Sequence, residues 1–107
     1  MELLSFPDVA ELLGIPVTRV HQLVRDGELV YVADEAGVRR IPTDFIQDGL
    51  VLKSLPQVIR LLRDARFTDS EVLDWLYRAD DSIPGTPVNA LRENRGTEIK
   101  RRAQAEL

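Results

Sequence analysis

The chain has 107 residues, a formal net charge of −4 at neutral pH and no cysteine. That length suits one domain or two very small ones sharing a core, and the missing cysteine excludes disulfide staples, thiol catalysis and cysteine-based zinc sites. No apolar run is long enough to cross a bilayer, and the opening MELLSFPDV has no basic segment of the signal-peptide kind, so no membrane partner and a cytoplasmic location are expected.

Apolar residues make up 44% of the chain but aromatics only 6%, so the core must be built mainly from Leu, Val and Ile. Ser5 can cap a first helix, with Asp8 in the place where a capping box carries Glu. Val9, Leu12 and Leu13 give that helix an apolar side, Gly14 ends it and Ile15 fills the connection. A second helix is predicted from Pro16 or Val17 to Asp26, with Val17, Val20, Leu23 and Val24 as its buried stripe and Gly27 as a left-handed closing residue. LVYVADEAGVRRI then reads as two short strands around Asp34–Gly37. Pro42 and Thr43 end the second strand and open a helical turn containing Phe45 and Ile46.

The remainder is helical. Ser54, Leu55 and Pro56 begin a helix with an apolar face of Val58, Ile59, Leu61 and Leu62, broken near Phe67. Thr68 and Glu71 form a capping-box pair ahead of Val72, Leu73, Trp75 and Leu76, with Trp75 expected in the core. DDSIPGTPV reads as an ordered loop. A helical turn around Leu91 and a final helix from about Thr97 follow, the latter docked through Ile99 and Ala103. The fold expected is mainly α with a small β-hairpin: a winged helix-turn-helix over residues 1–53, then a three-helix C-terminal region over 54–107. A single merged core is the alternative to two units, since a winged domain of that length is marginal alone.

The second helix of a helix-turn-helix presents its N-terminal half to base edges. With the apolar stripe removed, Thr18, Arg19, His21, Gln22 and Arg25 face outward. Arginine can pair two guanine acceptors, glutamine suits adenine, and threonine offers a hydroxyl or a methyl group. Arg25 lies far along the helix and suits a phosphate better than a base. Arg39 and Arg40 on the returning strand are the wing candidates. Strict alternation puts Arg39 on the side of Ile41, so one of the two arginines braces the hairpin or a bulge intervenes. Charge opposes a generic binder: residues 1–53 hold nine Asp/Glu against five Lys/Arg, whereas 54–107 hold nine of each. Asp34 and Glu35 put two carboxylates at the wing tip. Any DNA contact must therefore come from a local basic face. The terminal run Lys100, Arg101 and Arg102 reads as a solvated helix rather than a phosphate contact.

The stretch LSFPDVAELLGIPVTRVHQLVRDGELVYV, with AGVRRIPTDFI after it, resembles the winged helix-turn-helix of the MerR and phage-excisionase class. RDARFTDSEVLDWLYRADDSIPGTPVNALRENRGTEIKRRAQA is similar to the C-terminal region of a small actinobacterial, mycobacterial-type family of DNA-binding proteins. The resemblance implies double-stranded DNA as partner and transcriptional regulation as role. A more distant likeness of the second half to the toxin-binding part of some antitoxins implies a protein partner through residues 54–107 instead. MerR-type proteins dimerise through a long coiled coil, and no such heptad helix occurs here.

Catalysis has little to stand on. HExxH, P-loop and dinucleotide patterns are absent, and the one histidine lies on the predicted recognition helix. Asp80 and Asp81 are adjacent before a turn, where capping and solvent exposure explain them more simply than a catalytic pair. The expectation is a non-enzyme with no cofactor and no metal.

Overall fold

The computed structural model describes residues 1–79 and 81–107. The first helix, α1 (Phe6–Leu13), forms where the sequence supplies both a start and a stop. Ser5 Oγ accepts the Asp8 N–H at 3.2 Å, and Pro7 sits in the first turn, where its missing N–H costs nothing. Gly14, at φ 67°, turns left-handed and lets the Ile15 N–H reach the Ala10 carbonyl at 3.0 Å. The second helix, α2 (Val17–Arg25), starts without a side-chain cap because Pro16 occupies that place. Val20 and Leu23 are buried and Val24 is half-buried. Val17 departs from the expected stripe: it is 38% exposed, since as the first helical residue it has no preceding turn over it.

The hairpin of β2 (Val32–Ala33) and β3 (Arg39–Pro42) is joined by β1 (Leu3–Ser5), giving an antiparallel sheet in the order β1-β3-β2. Leu4 lies opposite Ile41 and Ser5 opposite Arg40, so Ser5 ends a strand and caps α1 at once. After a 3₁₀ turn at Thr43–Phe45, a second hairpin follows, β4 (Ile46–Gln47) and β5 (Leu50–Val51). Asp48 and Gly49 between them have φ of 54° and 75°, the paired positive values of a two-residue type I′ turn. Ile46 is thus in a strand, not in the helical turn expected for it.

Helices α3 (Leu55–Asp64), α4 (Asp69–Tyr77), α5 (Pro87–Arg92) and α6 (Gly96–Gln104) complete the chain, and the turn expected around Leu91 is the six-residue α5. The reciprocal cap on α4 is present: the Thr68 N–H donates to Glu71 Oε1 at 2.9 Å and the Glu71 N–H to Thr68 Oγ1 at 3.2 Å. Ile99 and Ala103 dock fully buried, as expected. Gly96 meets Ser54 so closely that a Cβ there would overlap the serine side chain. Trp75 is only partly buried, because Val72 and Leu76 take the core-facing stripe of α4. Its ring N–H donates to Glu106 at 3.3 Å beside an open cleft of about 600 Å³. Asp81 is exposed, and Asp80 lies outside the described residues.

One apolar core runs through both halves, with Val9, Val20, Ile41 and Phe45 in the same cluster as Leu55, Ile59, Leu76 and Ile99. Polar stitching joins the root of the wing to the helices. The Arg92 guanidinium donates to the Asp44 and Ile46 carbonyls at 2.8 and 3.0 Å, and Gln47 Nε2 donates back to the Arg92 carbonyl at 3.1 Å. The Tyr77 hydroxyl donates to Asp44 Oδ2 at 2.9 Å. Burial, with the Asp44 carboxylate beside it, pushes that hydroxyl well above its ordinary pKa.

Candidate nucleic-acid interface

On α2 the buried positions leave one continuous outward face. Thr18, Arg19, His21, Gln22 and Arg25 are all exposed. Arg19 and Gln22 are three residues apart and so lie side by side on the helix. His21 is fixed by a neighbour: its ring meets Phe6 of α1 edge-on, with centroids 4.7 Å apart and planes at 62°. The imidazole is therefore held against the first helix while the ring stays exposed. Among the described residues neither Arg19 nor Arg25 has an ion-pair partner, so both guanidiniums remain free for an external anion.

The two wing arginines differ. Arg40 is half-buried, and its Nε donates to Asp34 Oδ2 at 2.8 Å. The other Asp34 oxygen accepts the Ala36 and Val38 N–H groups, both at 2.9 Å. The Arg40 hydrogen bond, then that from Val38, holds the Asp34 carboxyl below its usual range. Asp34 is thus turned back into its own turn and neutralised there, which removes one of the two objections raised by the acidic wing tip. Glu35 stays exposed. One arginine does brace the hairpin, but it is Arg40 and not Arg39, the one that strict alternation placed on the side of Ile41. Arg39 points outward, exposed, with its guanidinium carbon 4.8 Å from the centroid of the Tyr31 ring.

Several residues that shape this surface were not singled out by sequence reasoning. Tyr31 supplies the platform for Arg39. Arg63 of α3 lays its guanidinium against Gly27, just past the end of α2, where a Cβ would collide with it. The constraint on Gly27 is its φ of 76°, which a side chain would strain, since the tip of Arg63 can move aside. Arg92 holds the segment that follows the wing. The RxxRxxR spacing of residues 60–66 was a visible signal of arginines on α3 and just past its end, but nothing local to it indicated contact with α2.

Residues 1–46 match the family profile described as DNA-binding protein Rv2175c, wHTH domain, and residues 52–106 match Rv2175c C-terminal domain of unknown function. The chain is 40% identical to the DNA-binding protein Rv2175c of Mycobacterium tuberculosis, over 94% of its own length and 77% of that protein's. The NMR structure of Rv2175c is similar at a TM-score of 0.87 and 38% identity, covering 97% of this chain and 80% of that one. With both of its halves matched in order and the fold shared throughout, the chain belongs to the Rv2175c family of winged helix-turn-helix proteins.

Proposed function

We propose that this chain binds double-stranded DNA, with α2 in the major groove and the wing on the adjacent backbone, and that it acts as a transcriptional regulator. The observation that carries the reading is the outward face of α2, whose two arginines have no internal partner among the described residues. Arg19 and Gln22 read base edges, Thr18 and His21 support them at the groove wall, and Arg25 takes a phosphate. Arg39 is the wing contact, preformed on Tyr31, while Arg40 stays with Asp34. The relative named as a DNA-binding protein supports the same partner. The two halves work as one unit, because the reading helix and the wing root are both backed by the helical half.

A protein-docking role for residues 54–107 calls for an exposed apolar patch there. Among the described residues the only large apolar side chain exposed in that half is Leu107, at 64%. The DNA reading is therefore the stronger one.

Sequence selection with the purified chain at fixed salt, followed by binding of the enriched duplex to Arg19→Ala, tests it. A specific base contact is worth about 1–3 kcal/mol, so affinity should drop about tenfold or more. The thermal midpoint should stay in place, because Arg19 is exposed. No enriched sequence, or an Arg19→Ala variant that binds as tightly as the parent, rejects the reading.

A further inference from the structure

Helix α3 carries Arg60 and Arg63 at three-residue spacing, which makes their side chains neighbours, and Arg66 follows two residues past the helix end. Arg63 ties the ridge to the reading helix: its guanidinium lies on Gly27, two positions after Arg25, and Nη2 pairs with Asp69 at 2.8 Å. Arg60 and Arg66 are exposed and have no ion-pair partner among the described residues. Arg66 is also a backbone outlier. Its φ is 68°, in the left-handed region where a helix normally ends on glycine. The Arg66 N–H bonds the Arg63 carbonyl at 2.8 Å and the Phe67 N–H bonds Leu62 at 3.0 Å, so the position is a helix-closing one. Glycine would fill it without strain, yet the position carries an exposed arginine.

Asp26 and Asp64 are exposed at the same end of the two helices, and Glu28 is half-buried there. These carboxylates are short, whereas an arginine reaches well past them into solvent. A contact here must therefore be at arm's length, to a surface of dense negative charge, and a phosphate backbone is such a surface.

We propose that this ridge is a second DNA-backbone contact, with Arg60 and Arg66 meeting phosphates beside the groove that α2 enters and Arg63 fixing the ridge to the end of α2. It rests on the DNA-binding reading above and gives the helical half a direct share of the footprint.

The test is a salt titration of binding to a fluorophore-labelled duplex, using the full chain. Each phosphate contact contributes about 0.9 to the slope of log affinity against log salt. Arg60→Gln combined with Arg66→Gln should flatten the slope by about 2 and weaken binding roughly 50-fold at about 0.1 M salt, with base preference unchanged. Arg66→Gly should lose its share of binding while the thermal midpoint holds or rises, which separates contact from unfolding. Arg101→Gln, on the exposed side of α6, should leave the slope alone. An unchanged slope in the double variant, with Arg19→Ala still weakening binding, overturns the ridge and leaves the DNA reading standing. An equal flattening by Arg101→Gln overturns it too, as a net-charge effect. A parent chain that binds no duplex overturns both.

Discussion

Arg92→Met puts a number on how firmly the reading half is held. The substitution keeps an unbranched apolar stem and removes the guanidinium that donates to the Asp44 and Ile46 carbonyls at 2.8 and 3.0 Å. Hydrogen bonds to charged groups contribute about 1.5–3 kcal/mol each, and the half-buried setting places this pair at the low end, about 3 kcal/mol together. A chain of this length unfolds with an entropy of about 0.22 kcal/mol/K, so the thermal midpoint should fall by about 13 °C. Calorimetry gives the midpoint. Urea unfolding followed both by far-ultraviolet dichroism and by the fluorescence of Trp75, the only tryptophan, tests whether both halves melt together. Coincident transitions are expected because one core spans the halves. A midpoint within about 2 °C of the parent would refute the assigned bonding. Two separated transitions would refute the shared core.

Two other outcomes follow from local chemistry. The carboxyls of Asp34, Glu71 and Glu98 are held below their ordinary values of 3.8, 4.5 and 4.5, by the Arg40 side chain, the Thr68 backbone N–H and the Arg95 side chain respectively. Because the folded values are the depressed ones, this stabilisation is complete above the ordinary values and is lost as the pH falls through the lower folded ones. The urea midpoint should be flat near neutrality and drop in acid, and Glu71→Gln should shrink the difference between neutral and acid pH; an unaltered difference would contradict the cap's role. On the wing, Tyr31→Leu removes the ring under Arg39 and should weaken DNA binding about threefold, the scale of an exposed cation–π contact. In an Arg39→Ala background the same change should have no effect, and additive losses would show that the ring does not act through Arg39.

The parts of the fold that could be read from sequence are those written in local backbone chemistry. Ser5, Gly14, Gly27 and the Thr68–Glu71 pair each act within a few residues, so their signals survive without tertiary knowledge. Strands of two or three residues carry too little alternation to be seen, which is why β1 and the β4–β5 pair escaped. The Asp48–Gly49 dipeptide was their one visible mark. Trp75 was misjudged because positions 72, 73, 75 and 76 of an apolar helix span more than one face, and only packing decides which face is inner. The exposure of the α2 face followed from its buried complement. The split between Arg39 and Arg40 did not, because it turns on the direction of one carboxylate, that of Asp34. Arg92 was out of reach altogether, as its partners lie 48 and 46 residues away.

The stitching behind the reading half bears on how such proteins diverge. On the proposed reading Thr18, Arg19 and Gln22, all exposed, are the residues that a lineage would exchange to acquire a new preferred duplex. Asp44 has no such liberty, because its carboxylate answers to the Tyr77 hydroxyl of the other half. A winged half transplanted from one relative onto the helices of another would arrive with its front face intact and its back wall mismatched. Drift in base preference should therefore be fast and independent, while the back-wall positions change only in matched sets across the two halves.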